Sequence, residues 1–157
     1  MENLAACGAY VLFINRHTWF GGIEQWGTNV MGAYEILAKN PHIDRGRVYL
    51  FCISAEDPYM SAFVTNSPGL WKGIICLGPY VLPDFSGCPR GGRMPKILTS
   101  NGSEAGAADW LKRYQADALK QGVIVESIIH PGEQHYILSK TSVHERSRAM
   151  AHFIFEE

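Results

Sequence analysis

The chain has 157 residues, a length that suits one domain around a single core and excludes two full domains. Its residues are 46% hydrophobic and 18% charged, which is typical of a folded globular protein. The 14 Lys and Arg residues are balanced by 15 Asp and Glu residues, so the net charge is -1 and no cationic field attracts nucleic acid or anionic lipid. We therefore expect a single domain over residues 1–157, with neither nucleic acid nor membrane as a partner.

The sequence carries no targeting or cofactor signal. No apolar run approaches the roughly 20 residues of a membrane span, and no secretory signal pattern opens the chain, which favours a cytoplasmic location. No glycine-rich nucleotide motif follows a predicted strand, so no cofactor is expected. The cysteines form no C-x-x-C pair, so we expect neither a metal site nor a disulfide framework. Cys52 and Cys76 lie in apolar runs and are predicted to be small buried side chains.

Alternating strands and helices predict an α/β protein. A helix is expected from Ile23 to Leu37, where apolar residues recur at three- and four-residue steps. Further helical patterns cover residues 59–64, residues 107–122 with Gly122 as the C-terminal cap, and residues 141–154. Five short apolar segments predict strands at residues 9–14, 47–53, 73–77, 96–100 and 123–129. This order predicts a mostly parallel, doubly wound sheet of about five strands.

Residues 78–95 differ from the rest of the chain in composition. This stretch contains Gly78, Gly87, Gly91, Gly92, Pro79, Pro83, Pro89 and Pro95. We predict a long irregular loop, and loops of this length inside compact domains are often functional.

Ser54 is the first candidate site residue. It follows the second predicted strand directly, and ligands of open α/β sheets bind beyond the carboxyl ends of the strands. On a tight strand-to-helix turn the serine hydroxyl is accessible, and the backbone amide of Ala55 points at the same space. We predict Ser54 as a nucleophile and Ala55 as an oxyanion donor, with a turn or helix-cap serine as the alternative.

His135 is the second candidate. It lies on the loop after the last predicted strand, from which an imidazole can reach a nucleophile on an earlier strand and accept its proton. His130 ends that strand and precedes a proline, so we interpret it as a structural residue. The order of Ser54 and His135, with acidic residues between them, favours a triad.

The complete arrangement resembles the α/β-hydrolase superfamily, in particular its prolyl-oligopeptidase-like and esterase members. The stretches that carry the resemblance are residues 44–51, the turn at Ser54, residues 68–73, residues 131–135 and the pair Glu145 and Arg146. The resemblance implies a minimal α/β-hydrolase fold, truncated on its N-terminal side. It also implies that Ser54 is the nucleophile, that His135 is the general base, and that the acid follows the strand at residues 96–100.

The sequence departs from the family pattern at three places. Cys52 and Glu56 replace the small residues that flank the serine in the family's G-x-S-x-G elbow. Ala105 occupies the position of the family's aspartate, so we expect Glu104 to be the acid, with Asp109 as the second choice. A carboxylate at Asp109 is also favoured simply because a helix begins there. The family's earlier strands and glycine-bearing oxyanion loop have no counterpart before residue 9.

These features predict a serine esterase that cleaves small or exposed acyl esters through Ser54, His135 and Glu104. The substrate is then a small-molecule ester. An apolar sheet edge left by the missing strands favours a homo-oligomer. The alternative is a catalytically impaired or noncatalytic α/β-hydrolase-like binding protein, or a fragment of a larger hydrolase. Glu56, Ala105 and the missing oxyanion loop favour that alternative.

Overall fold

The computed structural model describes residues 8–10, 22–54, 57–89, 91–103, 106–135, 137 and 139–156. The chain divides into two compact units, Met1–Arg45 and Gly46–Glu157. The single domain over residues 1–157 stays a prediction. Within the described ranges, no helix is long and apolar enough to cross a membrane.

The first unit contains helix α1, Gly22–Ala38. Trp26 and Val30 are buried and lie four residues apart, as the predicted apolar stripe requires. The helix ends just before Asn40 and Pro41, since a proline disfavours helical backbone in the residue that precedes it. Of the strand predicted at residues 9–14, residues 11–14 lie outside the described ranges, and the first two have no regular secondary structure.

The second unit contains a four-stranded parallel sheet in the order β1-β2-β3-β4. Its strands are β1 (Tyr49–Ile53), β2 (Gly73–Leu77), β3 (Lys96–Gly102) and β4 (Val125–His130). The helices of this unit are α2 (Asp57–Asn66), α3 (Ala107–Lys120) and α4 (Lys140–Phe155). The predicted α/β class and the parallel sheet are confirmed.

The central strands β2 and β3 are buried on both faces. Ile74, Ile75 and Cys76 in β2 are each 1% exposed or less, which explains why this strand is continuously apolar rather than alternating. The side chains of Cys52 and Cys76 form no disulfide and have no exposed surface, and their sulfur atoms lie 3.5 Å apart. The prediction that both are small buried side chains is confirmed.

The described residues of the loop at 78–95 are irregular, as predicted, and they form hydrogen bonds with α3 and with Gln121 directly after it. Leu82 and Phe85 are buried, and the Phe85 amide donates a hydrogen bond of 2.9 Å to the side chain of Gln121. The Tyr114 hydroxyl donates to the Pro83 carbonyl oxygen at 2.6 Å. Burial raises the pKa of Tyr114, so its hydroxyl remains a protonated donor.

Phe153→Ala tests the packing of α4 against the sheet. Phe153 is 1% exposed, its ring lies 6.0 Å from that of Tyr49 between centroids, and Lys96 Nζ lies 4.5 Å from its centroid. Removal of this ring should lower the free energy of unfolding by roughly 3–5 kcal/mol, measured by urea denaturation. The control is Leu119→Ala, a side chain that is 69% exposed, which should change stability by less than about 0.5 kcal/mol. Equal losses in the two variants would contradict this packing.

Candidate active site

Ser54 lies on the turn between the end of β1 and the start of α2. Its φ angle is 54°, and within the described residues it is the only non-glycine residue with positive φ. An L-residue in this left-handed region costs roughly 1–2 kcal/mol, and such strain is found preferentially at functional sites. Ser54 therefore has the strained backbone conformation that a tight strand-to-helix turn requires.

A hydrogen bond joins Ser54 to His135. The Ser54 Oγ and His135 Nε2 atoms lie 2.7 Å apart, although the two residues are separated by 81 positions in the sequence. With Nε2 unprotonated, the serine hydroxyl donates to it, which is the arrangement in which an imidazole accepts the proton of a nucleophile. The structure brings the two predicted residues together, and their catalytic roles stay predictions.

Two residues of the loop at 78–95 hold the His135 ring in place. The Tyr80 ring stacks on it at a centroid distance of 4.5 Å and an interplanar angle of 20°. At Gly78, which has a φ of +60°, a Cβ atom would lie 2.8 Å from His135 Cε1. A positive φ is rare for residues with a side chain, and here any Cβ atom would also collide with the imidazole ring, so the position favours glycine. The sequence analysis singled out the loop but named neither residue as part of the site.

The loop that carries His135 crosses directly over the end of β3. A Cβ atom at Gly102 would collide with the backbone carbonyl oxygens of Gln134 and Glu133. The Gly132 amide also donates to Ser103 Oγ at 2.9 Å. The position of the histidine loop therefore depends on the absence of a side chain at Gly102.

A cavity of about 370 Å³ lies beside His135. Its volume is at the lower end of the range of small-molecule sites. The described residues that line it are Ile53, Leu77, Gly78, Ser100, His135, Ile137 and Arg146. The sequence analysis named Arg146 only as part of a family resemblance and did not place it in the site.

A second serine and histidine pair lies deeper in the sheet. Ser100 Oγ and His130 Nε2 are 3.0 Å apart, and His130 Nδ1 lies 3.2 Å from Glu145 Oε2. Their hydrogen bond satisfies Ser100 Oγ and His130 Nε2, and because His130 has no exposed surface and Ser100 is 1% exposed, the pair is poorly placed to attack a substrate. The structural role expected for His130 agrees with this burial.

The remaining predicted site residues are described only in part. Ala55 and Glu104 lie outside the described residues, as do Glu56 and Ala105, so the oxyanion amide and the acid stay predictions. Asp109 is described, and it is exposed in the first turn of α3. Within the described residues it makes no hydrogen bond or ion pair with His135.

Comparisons with known proteins find similarity in structure but not in sequence. No family model matches the chain, and no curated protein matches it. Dipeptidyl peptidase 4 from Porphyromonas gingivalis superposes with a TM-score of 0.64 at 13% identity, over 83% of this chain and 22% of that one. Dienelactone hydrolase from Anabaena variabilis gives a TM-score of 0.59 at 15% identity, over 83% of this chain and 59% of that one.

A carboxylesterase from Mesorhizobium loti gives a TM-score of 0.56 at 14% identity, over 82% of this chain and 61% of that one. The chain has an α/β-hydrolase fold. At these identities the likeness shows the fold alone, and the chain spans less than two thirds of the length of each of these structures. In the α/β-hydrolase fold as seen here, Ser54 and His135 both follow strand ends, at the same edge of the sheet.

Gly102→Ala tests how the histidine loop is positioned. The added methyl group would collide with two backbone carbonyls, so the loop must move and His135 must leave its present place over Ser54. We expect labelling of Ser54 by a fluorophosphonate to slow by roughly 100-fold, the cost of displacing a catalytic group by about 1 Å.

The matched control for this test is Gly87→Ala. A Cβ atom at Gly87 meets nothing within 4 Å, so this variant should be labelled at the rate of the unmodified protein. Equal labelling rates in the two variants would show that the loop does not depend on Gly102.

Proposed function

We propose that the protein is a serine esterase that cleaves small or exposed acyl esters, with Ser54 as nucleophile and His135 as general base. The observation that carries the proposal is the 2.7 Å hydrogen bond between these side chains, formed at a strained turn after a parallel strand. The fold supports it, because a carboxylesterase and a dienelactone hydrolase share that fold.

The proposed reaction has two halves. Ser54 Oγ attacks the ester carbonyl carbon while its proton passes to His135 Nε2, and the tetrahedral oxyanion is stabilised by the Ala55 amide. The imidazolium then protonates the leaving alkoxide, which departs as an alcohol and leaves an acyl group on Ser54. In the second half, His135 takes a proton from water while the water oxygen attacks the acyl carbon; the bond from that carbon to Ser54 Oγ then breaks, the carboxylic acid leaves, and the imidazolium returns the proton to Ser54 Oγ.

Two features favour an ester over a peptide. Tyr80 is 66% exposed and Ile53 is 47% exposed, so the surroundings of the serine offer open apolar surface to a small acyl or alkyl group. An ester also has a good leaving group, which demands less of the oxyanion site than an amide does.

A homo-oligomer belongs to the proposal as well. Its basis is the sequence expectation of an apolar sheet edge, to which a second copy of the chain would add a strand.

Ser54→Ala and His135→Ala test the proposed nucleophile and base. With 4-nitrophenyl acetate, each variant should lose at least roughly 1,000-fold in kcat, and the double variant should be little worse, because the two residues act as one unit. The control Ser147→Ala removes an exposed hydroxyl that donates to the Val143 carbonyl, and it should keep full activity.

Two results would contradict the esterase proposal. If turnover survives Ser54→Ala but falls strongly in Ser100→Ala, the nucleophile is Ser100 of the buried Ser100 and His130 pair, not Ser54. No hydrolysis and no fluorophosphonate labelling of the unmodified protein would favour the noncatalytic binding protein.

Glu104→Gln tests the proposed acid. A carboxylate that orients His135 and stabilises its imidazolium contributes less than the nucleophile, so we expect a loss of roughly tenfold to 1,000-fold in kcat. Asp109→Asn is the control, because Asp109 has no hydrogen bond or ion pair with His135 within the described residues, and it should have little effect. A larger loss of kcat in Asp109→Asn than in Glu104→Gln would identify Asp109 as the acid.

A further inference from the structure

Arg146 places a positive charge in the cavity that contains His135. It lies on α4, it is half-buried, and it lines the same cavity of about 370 Å³ as the histidine. Burial lowers the pKa of its guanidinium from the usual value, because part of the water that would solvate the charge is excluded. An arginine remains protonated in proteins nonetheless, so the cavity keeps its cation.

Within the described residues this cation has no anionic partner. The adjacent Glu145 carboxylate lies 3.2 Å from His130, and no carboxylate of the described chain forms an ion pair with Arg146. Arg47 and Arg93 differ, since their guanidinium groups donate to the carbonyl oxygens of Ile154 at 2.8 Å and Gly46 at 2.7 Å. A partly desolvated guanidinium with unused donors is costly unless an anion binds there.

The other walls of the cavity suit an alkyl chain. Ile53, Leu77 and Ile137 are apolar. Among the described lining residues, Ser100 alone carries a hydroxyl, and that hydroxyl is already hydrogen-bonded to His130. The cavity therefore fits a short apolar chain with a single anionic end.

We propose that the site selects esters whose acyl chain ends in a carboxylate, and that Arg146 binds that carboxylate. This inference rests on the proposed esterase function. A guanidinium can hold a carboxylate through two parallel N–H···O bonds, and anchoring the far end of the chain orients the ester carbonyl at Ser54. Hydrolysis of such a half-ester with water gives a dicarboxylate and an alcohol, while Arg146 itself is unchanged.

The test compares two esters of equal chain length. We would measure kcat/KM for the 4-nitrophenyl half-ester of glutaric acid and for 4-nitrophenyl pentanoate, each corrected for uncatalysed hydrolysis. Arg146→Met should lower kcat/KM for the anionic ester by roughly 10- to 100-fold, the range expected for loss of a charge-assisted hydrogen-bonded pair. The same variant should change kcat/KM for the neutral ester by less than about threefold.

Two further variants separate the role of Arg146 from general charge effects. Arg148 is exposed on the same helix, so Arg148→Met should leave the ratio of anionic to neutral rates unchanged. Arg146→Lys should recover part of the preference, because it restores the charge without the two-pronged geometry. An equal ratio in the unmodified protein and in Arg146→Met would overturn the proposal while leaving the esterase function intact.

If neither ester is hydrolysed, the esterase function is refuted, and a binding experiment then tests the carboxylate site by itself. Binding of glutarate and of uncharged glutaramide would then be measured by ligand-observed NMR. Glutarate binding that is lost in Arg146→Met and kept in Arg148→Met would support the carboxylate site independently of catalysis. Equal binding by the two variants, or equal binding of the acid and the amide, would refute it.

Discussion

The parallel register of the sheet is the constraint on which the candidate site depends. Ile53 pairs with Leu77, and Leu77 pairs with Ser100, so the carboxyl ends of β1, β2 and β3 reach the same edge. Between β3 and β4, Gly102 pairs with His130. The loop that carries His135 therefore begins beside the end of β3. A slip of one residue between strands would turn every side chain to the opposite face and separate the serine from the histidine.

The turn at Ser54 also accommodates a cysteine close to the serine. The G-x-S-x-G pattern that the sequence resembles has a small residue two positions before the serine, and Cys52 occupies that position. Its side chain is fully buried, and its sulfur lies 3.5 Å from that of Cys76, the residue paired with it on β2. The positive φ of Ser54 is therefore compatible with a fully buried cysteine at this position.

Sequence reasoning found the residues that depend on local pattern. Ser54 and His135 each follow an apolar segment, and that position alone marks them as candidates. Tyr80 and Gly78 lie in a loop without periodicity, and their contact with His135 is set by tertiary packing. No local signal in the sequence therefore predicts that contact.

Polar residues at strand ends were harder to interpret. The prediction ended the third strand of the described sheet at residue 100, but the ladder continues because Asn101 pairs with Ile129 and Gly102 with His130. Conversely, Arg47 was predicted within a strand, whereas β1 begins at Tyr49 and the Arg47 side chain donates to α4. Arg146 was not predicted as a site residue because its exposure to the cavity depends on how α4 packs, which periodicity does not reveal.

The sequential order of the strands has a consequence for folding. Each strand pairs with the strand that precedes it in the chain, so the sheet can grow by adding one neighbour at a time, with modest loop-closure entropy at each step. The contact between Ser54 and His135 instead spans 81 residues. We expect this contact to form late in folding. In the folded protein, a local opening of the histidine loop would separate Ser54 from His135 while the strands remain paired.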